Sequence, residues 1–267
     1  MIPLKQKIGL IGAGNMGTAI CEALLKKGLL EPDQLWVYDK IADKSKDFAV
    51  HRRANAVETC REVAANADVI LLAIKPQDLE SAAADLKGEL RDSHHVISIL
   101  AGTRLDRLRE VFGDGPQFVR AMPNLGAKVG EAVTALAGDS LDIAEPIFRA
   151  CGKTVRLDEN HFDLVTALSG SGPAYFFLLM ECLSKVGQDH GLAADVADLL
   201  AIQTAVGAGL VAQSAVEGPA ELRKRVTSKG GTTEAALKVL QAHGFDKAFS
   251  AAIEAAINRG RELSQNA

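Results

Sequence analysis

Residues 7–28, KIGLIGAGNMGTAICEALLKKG, decide how the rest of the chain is read. Ile8, Leu10 and Ile11 form a short apolar run of the kind that becomes a buried parallel strand. Gly12-Ala13-Gly14-Asn15-Met16-Gly17 then supplies the pattern G-x-G-x-x-G, and Met16, Ala19, Ile20, Ala23 and Leu24 follow at helical spacing up to Gly28, where a helix would stop. Each glycine has a physical reason. Gly12 permits the tight turn from strand to helix, Gly14 leaves no Cβ between the backbone and a pyrophosphate, and Gly17 lets the helix press on the strand. The free N–H groups of the first helical turn would face the phosphates. Glycine triplets are common, but one with a strand before it and a helix after it predicts a dinucleotide site.

The chain has 267 residues, enough for two modest domains, with 48% hydrophobic and 24% charged residues, as in ordinary globular proteins. A net charge of −4 with scattered Lys and Arg gives no reason to expect a nucleic-acid partner. Cys21, Cys60, Cys151 and Cys182 are widely spaced, without a C-x-x-C pair, and are expected as buried apolar groups in a reducing, cytoplasmic setting. The first residues lead straight into the strand, and no signal peptide is expected. Leu199 to Val216 is free of charge and nears membrane-spanning length, but it contains Gln203, Thr204, Gln213 and Ser214. It is read as a helix buried in protein, between subunits, and no membrane is expected.

Leu35 to Tyr38 reads as a second strand, and Asp39 follows at about the distance from the glycines that suits a ribose-binding acid. A solvated Asp at a strand end fits equally well. In the ribose role, the carboxylate would accept bonds from both hydroxyls of NAD and repel the 2′-phosphate of NADP by about 1 to 4 kcal/mol per charge pair. Lys40, Lys44 and Lys46 could neutralise that phosphate, so both cofactors stay open. Asn55 to Ala65 reads as a helix, and Asp68 to Ile74 as a continuously apolar, central strand. Lys75-Pro76-Gln77 ends it at the carboxyl edge of the sheet, where open α/β sheets bind ligands, so Ala73, Ile74, Lys75 and Pro76 are cofactor-contact candidates. Helices at Leu79–Leu90 and Leu105–Phe112 alternate with strands at His95–Leu100 and Phe118–Ala121, the latter ended by Met122-Pro123-Asn124. Val133–Ala137, a helix over Ile143–Cys151 and a strand over Thr154–Leu157 complete a doubly wound, mainly parallel sheet of Rossmann type over residues 1–160.

From His161 the strand signals cease. Phe162–His190, Ala193–Val216, Thr233–His243 and Phe245–Ser264 read as helices, giving an all-α domain over residues 161–267. Several are apolar around most of their circumference, which predicts an obligate homo-oligomer built through this half. Two stretches interrupt the pattern. Ser169-Gly170-Ser171-Gly172-Pro173 is costly as helix interior and reads as a kink, a helix start or a pocket wall. Ser228-Lys229-Gly230-Gly231-Thr232-Thr233 places glycines before a helix start, a seat for a carboxylate or a simple N-cap by Thr232.

At these residues the chain resembles the pyrroline-5-carboxylate reductases. The likeness is carried over nearly the full length by GAGNMG, LAIKPQ at 72–77, RAMPN at 120–124, ALSGSGPAYFF at 167–177 and VTSKGGTT at 226–233. It implies a Rossmann domain, a helical domain forming intertwined dimers that often assemble into decamers, and a site between nucleotide domain and helices. It further implies hydride transfer from NADP(H) to the C=N bond of a small cyclic imine. Asp39, and Cys60 in place of a common asparagine, put that preference in question and leave NAD(H) as a possible or preferred cofactor. In the roles it implies, Thr233 hydrogen-bonds the ring nitrogen and backbone N–H groups around Ser228, Gly230, Gly231 and Thr232 hold the carboxylate. Ser171, Gly172 and Asn124 shape the substrate side. Leu125-Gly126 and Lys229 depart from the usual Thr-Pro and Pro. The six histidines show no base-plus-partner spacing, and a protonated imine needs none; no metal site is expected. A β-hydroxyacid dehydrogenase is the nearest rival, but Ala174 to Leu178 occupy the place of its catalytic lysine. A non-catalytic nucleotide sensor is the rival from another class.

Overall fold

The computed structural model describes residues 2–265. It divides into two compact units, one of residues 1–171 with 256–267 and one of residues 172–255. The switch of hydrophobic period at residue 160 thus falls shortly before the last residues of the first unit's main segment.

The first unit holds β1 (Ile8–Ile11), α1 (Asn15–Lys26), β2 (Leu35–Tyr38), α2 (Ala42–Arg52), β3 (Asn55–Ala56), α3 (Cys60–Asn66) and β4 (Val69–Leu72). It continues with α4 (Leu79–Leu86), β5 (His95–Ser98), α5 (Leu105–Phe112), β6 (Gln117–Met122), β7 (Ala132–Gly138), α6 (Leu141–Arg149), β8 (Gly152–Arg156) and the short α7 (Phe162–Val165). The strands form one sheet in the order β3-β2-β1-β4-β5-β6-β7-β8. Side chains alternate between its faces. Ile8, Leu10, Val69 and Leu71 point into a core shared with Ile20 and Leu24 of α1 and Phe148 of α6. Ile11, Ile70 and Leu72 point into a second core with Val63 of α3, Leu86 of α4 and Leu108 of α5. β1 pairs in parallel with both β2 and β4, so the order reverses beside it and opens a crevice at the strands' carboxyl ends.

The structure corrects several expectations. The helix read over Asn55–Ala65 is a two-residue strand followed by α3, whose start is set by Thr59: its hydroxyl accepts the Glu62 N–H at 3.1 Å. Helix α2 was not foreseen. The sheet is mainly parallel, as expected, and β6–β7 is its antiparallel pair. Of the cysteines, Cys21, Cys60 and Cys151 are buried and Cys182 is exposed.

The second unit contains α8 (Gly172–Asp189), α9 (Ala194–Ser214), α10 (Pro219–Arg225), α11 (Thr232–Ala242) and the first part of α12 (Phe245–Gln265). The interruption at Ser169-Gly170 is a π-turn over Thr166–Gly170, and Pro173 lies in the first turn of α8, where its missing N–H costs nothing. Helices α8 and α9 pack where both are thin, with Gly187 against Ala197, and Ser184 donates its hydroxyl to Asp198. Tyr175 meets Phe249 edge-on at 5.8 Å. Otherwise the apolar side chains face outward: Phe176, Leu178, Leu199, Leu210 and Val211 are all more than half exposed. Within one chain α9 buries only Ala197 and Ala201, so the expectation of a buried helix is not met by the chain alone. By length and composition, the helical spans Glu159–Asp189 and Ala194–Ser214 could also cross a membrane.

Candidate active site

The turn between β1 and α1 shows why three glycines stand there. Gly12 has φ of +104°, and a Cβ on it would lie 2.6 Å from the Ala73 carbonyl oxygen. Its N–H donates to the Tyr38 carbonyl at 2.8 Å, and the Ala73 N–H donates to the Ile11 carbonyl at 2.8 Å, tying the turn to β2 and β4. A Cβ on Gly17 would lie 2.6 Å from the Gly12 carbonyl oxygen and 2.8 Å from the Ala73 Cβ, so α1 lies directly on the sheet. Gly14 differs. It is the N-cap residue of α1 with an ordinary φ of −84°, no side chain caps the helix, and a Cβ there would meet nothing. Open space beside uncapped N–H groups is the cradle a pyrophosphate needs, and the residues present fit a dinucleotide.

Asp39 follows β2 and is pinned. Its Oδ2 accepts the Ala13 N–H and its Oδ1 accepts the Ile41 N–H, both at 2.8 Å. It borders a cavity of about 450 Å³ that also meets Gly12, Ala73, Ile74 and Lys75. Five of the candidates for cofactor contact are thereby gathered around one space, with Ala13 bonded to its edge. Asn15 and Met16 stand at the start of α1 and Pro76 begins a short turn after Lys75, all outside that cavity lining.

Residues not singled out beforehand close the far side: Glu58, Thr59, Ser81, Ala82 and Asp85. The Thr59-Cys60-Arg61-Glu62 capping sequence was the signal that could have placed this wall. Cys60 donates its backbone N–H to Asp85 Oδ2 at 2.7 Å; burial, with Asp85 adding, pushes its thiol up to about 12, so it is an inert, neutral wall. Burial, with Cys60, Asp85 and Asp39 adding, likewise raises the Tyr38 hydroxyl. Lys40 is clamped by both oxygens of Asp78 at 2.7 and 2.8 Å.

Asn124 lies two residues past β6 and caps the following turn, its side-chain oxygen accepting the Gly126 N–H at 3.1 Å, a bond that a proline at 126 could not make. A Cβ on Gly126 would lie 2.6 Å from the Glu131 carbonyl oxygen. The turn after Asn124 packs on α1, whose Met16 borders the same core as Ala127. Ser171 donates its N–H to the Thr166 carbonyl at 2.8 Å, closing the π-turn.

In the second unit, Ser228, Gly230, Gly231, Thr232 and Thr233 are consecutive around the start of α11. Capping by Thr232 does not form: Gly231 is the N-cap residue, no side chain caps it, and Thr232 is the first helical residue. Gly230 has φ of +75°, which turns its N–H onto a carboxylate, here Glu234 Oε2 at 2.6 Å. Thr233 stands half-buried in the first turn. Lys229 is exposed.

Residues 159–263 match the family model described as pyrroline-5-carboxylate reductase dimerisation, and residues 7–102 match NADP oxidoreductase coenzyme F420-dependent. A pyrroline-5-carboxylate reductase of Pseudomonas aeruginosa is 37% identical over 97% of this chain and 97% of its own length. A solved structure of a pyrroline-5-carboxylate reductase from Coxiella burnetii is 35% identical, with a TM-score of 0.91 over 98% of this chain and 99% of that one. The Plasmodium falciparum pyrroline carboxylate reductase, solved with NADP bound, is 26% identical with a TM-score of 0.87, over 98% of this chain and 99% of that one. With relatives this similar over the whole length, on a dinucleotide-binding sheet followed by helices, the chain belongs to the pyrroline-5-carboxylate reductase family.

Proposed function

We propose that this chain is a pyrroline-5-carboxylate reductase, transferring hydride from NAD(P)H to the C=N bond of 1-pyrroline-5-carboxylate and giving L-proline in proline biosynthesis. The observation that carries the reading is the cradle at Gly12, Gly14 and Gly17, in a chain whose full-length relatives are reductases of this kind. When bound, the reduced nicotinamide supplies the hydride.

The chain's own part is binding, orientation and exclusion of water. Uncapped N–H groups at Gly14 and the start of α1 hold the pyrophosphate, and Asp39 receives the ribose. The loop before α11 grips the substrate carboxylate through backbone N–H groups around Ser228, Gly230 and Thr232, with Gly231, whose own N–H donates to the Ser228 carbonyl at 3.0 Å, shaping the turn. The bond that the Gly230 N–H donates to Glu234 Oε2 supports a carboxylate at this place. Thr233 accepts a hydrogen bond on its hydroxyl oxygen from the protonated ring nitrogen, while Ser171, Gly172 and Asn124 bound the ring. A protonated imine is already electrophilic, so orientation of its carbon toward the nicotinamide supplies most of the rate.

The enzyme acts as a homodimer through the helical half, with a decamer as the higher assembly. The outward apolar residues of α8 and α9 and the dimerisation match support a protein partner over lipid as their cover. It works in the cytoplasm, a reading supported by four cysteines that stand as free thiols. Loss of nicotinamide absorbance with pyrroline-5-carboxylate, alongside proline formation, tests the activity. Dinucleotide binding without turnover, or turnover only with a hydroxyacid, overturns it. A monomeric mass in sedimentation at micromolar concentration overturns the dimer.

A further inference from the structure

The cavity beside the glycine turn carries a selection between the two nicotinamide cofactors, and this inference rests on the reading of the chain as a nicotinamide-dependent reductase. We propose that Asp39 makes the enzyme prefer NADH, by presenting a fixed carboxylate where NADPH would place its 2′-phosphate.

Three observations support it. First, the Asp39 carboxylate cannot swing aside, because each oxygen is held by a main-chain donor, Ala13 N–H on one and Ile41 N–H on the other, at 2.8 Å. A carboxylate offers about four lone-pair sites. Two remain for the 2′- and 3′-hydroxyls of an unphosphorylated ribose, which are donors and match them. Second, the same two bonds occupy the Ala13 and Ile41 N–H groups, two main-chain donors that would otherwise be open to a phosphate. Third, the adjacent cation is committed elsewhere: Lys40 Nζ is held by both oxygens of Asp78. Lys44, in the first turn of α2, and Lys75 also border the cavity, but both stand exposed, where solvent screens their charge. Glu58 and Asp85 add further acid to the lining. A 2′-phosphate of charge near −2 thus meets a carboxylate in contact and no uncommitted buried cation.

Titration calorimetry of the full-length protein with NADH and NADPH at matched ionic strength tests this without relying on turnover. NADH is expected to bind at least tenfold more tightly, the low end of the repulsion between charges in contact, taken as about 1.4 kcal/mol. Asp39→Asn removes the charge and is expected to shrink the ratio about tenfold. Should that variant lose the turn, Asp78→Asn keeps the question open to measurement. It releases Lys40 and is expected to tighten NADPH about threefold or more while leaving NADH within about twofold. Equal or tighter binding of NADPH by the unaltered protein, or a ratio that neither substitution moves, overturns the selection and leaves the dinucleotide site standing. Failure to bind either cofactor overturns the reductase reading with it.

Discussion

Alanine at Gly12, Gly14 and Gly17 should separate folding from binding in a way that only the proposed cradle explains. At Gly17 the new Cβ would start 2.6 Å from the Gly12 carbonyl oxygen and 2.8 Å from Leu10 Cδ1. Restoring ordinary contact, at about 3.4 Å, moves α1 off the sheet by ~0.8 Å. Overpacking of this kind costs about 1–3 kcal/mol, offset by about 1 kcal/mol from the better helix propensity of alanine, which leaves a net loss of up to ~2 kcal/mol. For a unit of this size the melting temperature then falls by up to roughly 6 °C. At Gly12 the positive φ adds about 1–3 kcal/mol of strain to a backbone clash, so Gly12→Ala is the most damaging of the three. At Gly14 nothing is displaced and φ is ordinary. The worse N-cap and the stiffer unfolded chain nearly cancel, leaving stability within ~0.5 kcal/mol. Yet that Cβ occupies the pyrophosphate's space and forfeits one or two charge-assisted hydrogen bonds, about 2–4 kcal/mol, or ~30- to 1,000-fold in Kd. Melting curves and calorimetry with NADH on the same preparations read both quantities. Gly14→Ala with unaltered affinity would refute the reasoning, as would binding losses that merely track the losses of stability.

Thr233→Ala should lower kcat roughly 10- to 1,000-fold with little change in nicotinamide affinity, as for removal of one oriented hydrogen-bonding group; unchanged steady-state turnover would remove Thr233 from that role. Glu159→Ala should cost about 3–5 kcal/mol by urea unfolding. It strips the buried Arg120 of its 3.0 Å ion-pair partner and the Leu105 N–H of its acceptor, and a loss under 1 kcal/mol (roughly, the value of an exposed pair) would contradict it. Burial, reinforced by Arg91, holds His94 below its ordinary 6.5, and burial does the same for His95. The unfolded chain therefore takes up protons that the folded one refuses. This contribution to stability is complete above the unfolded value, declines as pH falls through about 6.5, and is lost on passing the lower folded values. Urea midpoints between about pH 7.5 and about pH 5.5 should show the decline, and His94→Gln should flatten it.

The β1–turn–α1 unit was legible because its period changes from 2 to 3.6 across glycines that each have a steric reason. The long helices of the second half were legible from apolar periodicity, to within a residue or two at most ends, but the short α10 was not. Helix α2 was not, because Ala42 to Arg52 is largely charged and only Ser45, Phe48 and Ala49 are buried. Strand β3, two residues long, offers no alternation to read. The reversal at β7 is written in chain length: nine residues from Pro123 to Glu131 are too few for a parallel crossover of about a dozen. For the site, Asp39 could be placed at a strand end from the sequence. That its oxygens are pinned by Ala13 and Ile41, and that Lys40 is taken by Asp78, depends on contacts no spacing encodes.

Leaving Leu199, Leu210 and Val211 outward in the single chain has a consequence for how this protein must be made. If a second copy covers them, part of the free energy that holds α8 and α9 in place is bimolecular, and it weakens with dilution by the logarithm of protomer concentration. The melting temperature should climb as the solution is concentrated. A newly synthesised chain would then complete its helical half only upon meeting its twin, which sets a minimum expression level below which that half stays unfinished.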